Sequence, residues 1–154
     1  MKRKHLFNRF FQAPISGYSL SELAQYVAVF YFNMRTVHFN TSGQNFLELH
    51  EYAQELYEKV EDYYDDLVET AMSFNEKAQP MFVTPGDWNP SNEVPYDDFS
   101  SICLMKDSVR ILYDYLESIK KDAYPSFVYS KIDSILEWLD KQNYKLQQMS
   151  KETM

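Results

Sequence analysis

"HFNTSGQNFLELHEYAQELYEKVEDYYDDLVE", residues 38–69, sets His38 and His50 on either side of a Ser-Gly turn, with Asp65 and Glu69 further along. From Gly43 onward, Phe46, Leu49, Ala53, Leu56, Tyr57, Val60, Tyr64, Leu67 and Val68 recur at helical spacing. The stretch reads as one amphipathic helix, with His38 closing the helix before it. Asp65 and Glu69 lie four residues apart and share a face. His50, fifteen residues earlier, is only about 60° away in azimuth. His38 can fold back towards His50 across the Gly43 turn.

The axial distance divides these groups. At ~1.5 Å of rise per residue, His50 and Asp65 stand ~22 Å apart on one helix, too far for a single ion. Two copies of the helix packed antiparallel remove the difficulty. About a centre near Glu58, His38 and His50 of one chain come level with Asp65 and Glu69 of the other, so a dimer holds two identical sites. Mixed imidazole and carboxylate donors suit iron, and to a lesser degree zinc or manganese. The plainer reading of the spacing is a solvated face, because Glu48, Glu51, Glu55, Glu58, Glu61, Asp62 and Asp66 crowd the same helix. A lone His38 near a helix end is ordinarily a cap or a packed side chain.

The rest of the chain is organised by its breakers. Gly17, Gly43 and Gly86 with Pro14, Pro80, Pro85, Pro90, Pro95 and Pro125 leave four uninterrupted stretches, roughly 18–42, 44–79, 96–124 and 126–154. The first opens on the capping-box pattern Ser19-Leu20-Ser21-Glu22 and continues through Leu23, Ala24, Val27, Phe30, Tyr31 and Met34. The third carries Phe99, Ile102, Cys103, Val109, Leu112, Leu116 and Ile119. The fourth, with Pro125 suited to a first helical turn, carries Phe127, Ile132, Ile135, Leu139, Leu146 and Met149. No segment shows sustained period-2 alternation. An all-α four-helix bundle follows, and the proline-rich connection near 76–96 is long enough to cross from one end to the other between helices 2 and 3, as in ferritin-like folds.

Composition narrows the function. The chain has 154 residues and a net charge of −8. Residues 1–9 hold Lys2, Arg3, Lys4 and Arg9 and no acid, so the remainder carries eleven basic and 23 acidic side chains. Such a body suits cations and repels a phosphate backbone. No apolar run reaches the ~18 residues of a membrane span. The single Cys103 fits a reducing, cytoplasmic setting and, on its stripe, a place in the core. Residues 1–17 read as a basic, aromatic tail and 18–154 as one domain.

The quoted segment resembles the signature of the miniferritins, also called the Dps family, the DNA-protecting proteins of starved cells. The matching residues are His38-Phe39, Gly43 with Phe46, Leu49-His50, Tyr57, and Asp65 with Glu69, without a gap. "EWLDKQNYKLQQM", residues 137–149, looks like the family's last helix. The resemblance implies a homo-oligomeric shell, a dodecamer built from dimers. It implies a ferroxidase site at the dimer two-fold, with His38 and His50 from one subunit and Asp65 and Glu69 from the other. Its activity would be oxidation of Fe(II) by peroxide or O₂, with storage of the iron and protection from oxidative damage. Departures are Phe39 for the family's usual Trp, and Gln54 where a carboxylate is common one turn after the second histidine. No Glu has a His three residues later, which disfavours an intrachain di-iron site. Two alternatives remain: a DNA-compacting shell whose basic tail, with His5, binds the duplex, and a degenerate miniferritin that keeps the fold with a structural role. Trp88 reads as a residue packed over a subunit contact. Tyr57, Tyr63 and Tyr64 are candidates to accept oxidising equivalents.

Overall fold

The computed structural model describes residues 17–78 and 97–153. They form four α-helices: α1 Leu20–Asn40, α2 Phe46–Ser73, α3 Asp98–Glu117 and α4 Ser126–Thr153. No strand occurs among them; one isolated bridge joins Tyr18 to Ile119. The expectations placed on the tail residues and on Trp88 lie outside the described residues.

α1 begins where its sequence says it should. Ser19 is the N-cap, its Oγ accepts from the Glu22 amide at 3.4 Å, and its hydroxyl also donates to Glu22 Oε1 at 2.9 Å. α3 is opened by a full capping box, Asp97 with Ser100. α1 packs chiefly on α2, and α3 on α4. Leu23, Val27, Phe30, Met34, Leu49, Leu56, Val60, Leu67, Val109, Leu112, Leu116, Ile132, Leu139 and Leu146 fill the shared interior. At ~25 cal/mol per Å², burial of these side chains is the main term favouring the bundle.

Two clusters of contacts fix the ends. At one end Gly17, at φ +70°, lets the chain approach the Lys120 backbone so closely that a Cβ would meet it at 3.0 Å. Tyr18 then exchanges backbone hydrogen bonds with Ser118 and Lys120, at 2.6 and 2.9 Å. Glu76, just past α2, accepts from the Ser21 amide and hydroxyl at 3.2 and 3.1 Å and from the Tyr124 hydroxyl at 2.6 Å. Burial first, and then the Glu76 hydrogen bond, push the Tyr124 phenol up to about 12. At the other end Gly43 turns the chain at φ +120° against the Asp98 carboxylate, which accepts from the Asn45 amide at 3.1 Å. The start of the long connection therefore lies beside the first turn of α1, and its finish beside the α1–α2 turn. The two described ends of the connection between helices 2 and 3 thus lie at opposite ends of the bundle, as a crossover requires.

Three details differ from the sequence reading. Cys103 is exposed, not core: the buried stripe of α3 runs Ile102, Met105, Val109, Leu112 and Leu116, and Cys103 is ~100° round from Ile102. Phe99 and Phe127 are also exposed, at 56% and 52%. Between α1 and α3 the interior includes small polar residues that meet one another. Ser101 donates to Thr41 Oγ1 at 3.1 Å, and Asn33 donates to Ser108 at 3.3 Å. Finally, α3 stops at Glu117, because Ser118 to Lys120 are engaged by Tyr18.

Replacing Glu76 with Ala removes the acceptor for three donors at once. The expected loss is about 2 kcal/mol of unfolding free energy, read as a lower urea midpoint with unchanged slope; a midpoint equal to wild type would show that the cluster contributes nothing.

Candidate metal-binding half-site

His38 lies in the last turn of α1 and His50 in the second turn of α2. The tight Thr41–Asn45 turn brings them face to face, with ring centroids 3.7 Å apart and planes 21° from parallel. Each ring is held by the other residue's backbone: His38 Nδ1 lies 2.9 Å from the His50 carbonyl oxygen, and His50 Nδ1 lies 2.7 Å from that of His38. A carbonyl oxygen can only accept, so each Nδ1 carries the proton. In the neutral ring Nε2 then keeps its lone pair. That is the tautomer a metal-binding histidine needs, fixed by the kind of backbone hydrogen bond that orients such ligands. The His38 carbonyl belongs to the last turn of α1 and has few helical donors left, so the bond also satisfies a helix end.

Aromatic side chains frame the pair. Phe39 stands edge-on to His38 at 5.1 Å, Tyr57 at 5.4 Å, and Phe46 leans on His50 at 5.0 Å. His38 is 8% exposed, while Phe39 is 65% exposed. Of the three tyrosines singled out from sequence, Tyr57 touches the site. Tyr63 turns to Trp138 of α4 at 5.5 Å, and burial raises its phenol above the usual range.

The carboxylates stand apart from this pair. α2 runs unbroken from Phe46 to Ser73, so the ~22 Å between His50 and Asp65 holds along the axis. Asp65 and Glu69 are exposed, and neither forms a hydrogen bond or ion pair with any described residue. Their neighbour Asp66, by contrast, accepts from Lys131 at 2.6 Å. Among the described residues no three His, Cys, Asp or Glu side chains converge on one point. Gln54, one turn after His50, donates its amide to Glu58 Oε1 at 2.7 Å.

Sequence reasoning missed Arg35. Its guanidinium lies 5.0 Å from the Tyr57 ring centre, 5.3 Å from Phe39 and 5.6 Å from Tyr31, and it donates to the Tyr31 hydroxyl at 3.0 Å. The available signal was its place one turn before His38. A groove of about 460 Å³ between α2 and α4, bearing Glu48, Glu51 and Glu55, holds none of the four candidate ligands.

Solved structures share this architecture. The DPS protein of Vibrio cholerae O1, described as a member of a broad superfamily of ferritin-like diiron-carboxylate proteins, is 21% identical with a TM-score of 0.70, over 94% of this chain and 87% of that one. Antigen TpF1 of Treponema pallidum is 22% identical with a TM-score of 0.72, over 86% and 90%. Dps of Listeria monocytogenes is 14% identical with a TM-score of 0.72, over 86% and 94%. No family model matches the sequence, and no curated protein matches it. The chain has the ferritin-like four-helix fold, in the form found in the Dps miniferritins. No described helix is long and apolar enough to cross a membrane.

Both histidines are expected to be Nδ1–H tautomers at pH 8 without metal, giving the ¹⁵N pattern of a protonated Nδ1 and a bare Nε2. An Nε2–H signal from either ring would contradict the reciprocal bonding.

Proposed function

We propose that this chain is an iron-oxidising and iron-storing miniferritin. In this reading two copies pair antiparallel through α2, and the dimers build a hollow shell, a dodecamer by resemblance. Each dimer carries two sites in which His38 and His50 of one subunit face Asp65 and Glu69 of the other. The observation that carries the proposal is the paired histidines. They are locked in the ligand tautomer and set in a rim of exposed aromatics, with no carboxylate converging on them among the described residues. A second copy supplies those carboxylates and covers Phe39 and Phe46, an apolar patch that fits an interface.

Iron is the substrate and the cargo. Neutral imidazoles and carboxylates are borderline-to-hard donors suited to Fe(II), and the carboxylates favour Fe(III) still more by charge. Each Fe(II) gives up one electron. One hydrogen peroxide takes up two electrons and two protons to give two waters, which removes both ingredients of hydroxyl-radical chemistry. The two charges of Asp65 and Glu69 balance one ferrous ion. Gln54, whose amide nitrogen is engaged with Glu58, adds no charge for a second. The site is therefore built for one tightly held iron, and a second ion binds weakly beside it.

Refolded hybrids test the sharing. His50→Ala and Asp65→Ala each abolish tight iron binding and fast oxidation. In a mixed dimer one site joins both defects and the other is whole. Random 1:1 mixing restores about a quarter of wild-type sites, since a two-fold interface repeats each contact. Hybrids as inactive as their parents, with mixing verified by mass spectrometry, would refute a shared site.

A further inference from the structure

The α2 surface offered to a second copy is strongly acidic. Between His50 and Glu69 it carries eight acids and one base, Lys59, which points its ammonium over Tyr63. Asp66 is paired with Lys131 of α4, and Glu51 and Glu55 border the groove to α4, which leaves Glu58, Glu61, Asp62, Asp65 and Glu69 for the outer face. Two such helices packed antiparallel repel unless a cation stands between them. Arg35 is the one Lys or Arg of α1. It is half-buried and clamped by Tyr31, Phe39 and Tyr57, yet it meets no carboxylate among the described residues. An arginine stacked on aromatics is pre-organised for a planar ion pair and has lost little further freedom to make one.

The register supplies its counter-ion. A two-fold near Glu58, the position that aligns His50 with Asp65 and Glu69, puts Tyr57 level with residue ~59 of the other α2. Glu61 of the partner subunit then falls within one helical turn of the Arg35 guanidinium. Glu61 lies on the stripe of His50 and Tyr57, being eleven residues from the first and four from the second. It is exposed and has no hydrogen bond or ion pair within its own chain among the described residues. Glu58, at the centre itself, already accepts from Gln54.

We propose that Arg35 is the interface cation of the dimer: held in its aromatic cage, it pairs with Glu61 of the partner subunit and makes the acidic α2 faces compatible. The pair occurs twice about the two-fold, and its role is positioning. It sets the register on which the shared iron site depends, and so rests on the shared-site reading without adding a ligand to it.

Charge reversal tests the pairing without iron, by light-scattering mass at micromolar concentration. Wild type is expected well above the 18.4 kDa of one chain. Arg35→Glu and Glu61→Arg should each lower the mass to a single subunit, with helical circular dichroism retained. The double variant Arg35→Glu/Glu61→Arg should restore the wild-type mass. Glu61 is solvent-exposed within the subunit, so Glu61→Arg reads the interface even if Arg35→Glu folds poorly. An assembled Glu61→Arg, or a double variant no better assembled than its parents, overturns the pairing while leaving the shared site standing. A monomeric wild type removes both.

Discussion

The reciprocal pair of imidazole-to-carbonyl hydrogen bonds between His38 and His50 is the constraint on which the rest of the site depends. It ties the last turn of α1 to the second turn of α2, stacks two rings at 3.7 Å, and leaves each Nε2 as a lone-pair nitrogen. It also sets what the intervening turn must be. Only a short connection brings the two backbones this close. Gly43 supplies the positive φ, and Asp98 at the head of α3 holds the turn through the Asn45 amide. A contact that looks local is thereby coupled to the far side of the long connection.

In the shared-site proposal the same geometry leaves each subunit with half of a site. A straight α2 separates donors that chemistry would place around one ion, and a helix of this length cannot bend to close ~22 Å. The carboxylates left over are exposed and without partners among the described residues, and the half-buried Arg35 in its aromatic cage meets no carboxylate among them. Each is a common surface feature alone. Together they support the proposal that a second copy of the chain completes the site. In that proposal the acidity of the α2 face ties assembly and function to cations: Arg35 near the centre, iron at the two flanking sites.

Much of the fold was legible because it is written locally. The Ser19–Glu22 cap and the 3.6-residue periodicity of α2 act within a few residues of themselves. The histidine pair was legible because one short turn brings its members together. What was not legible depends on contacts distant in sequence. α3 ends at Glu117 because Tyr18 binds the next residues. Ser101 and Ser108 are buried because Thr41 and Asn33 await them. Cys103 was misplaced because a small apolar residue beside Ile102 fits either edge of a stripe. Arg35 was missed although Tyr31 and Phe39 stand four residues to either side of it, because the third wall of its cage, Tyr57, comes from α2.

Anaerobic Fe(II) titration calorimetry, with the mass of the same sample followed by light scattering, bears most directly on the claim that the iron site belongs to two subunits at once. The account predicts an assembled protein that takes up one tight ferrous ion per subunit, with any second ion bound far more weakly. A monomer of 18.4 kDa that binds iron tightly, or an assembly holding two equally tight ions per site, would contradict it.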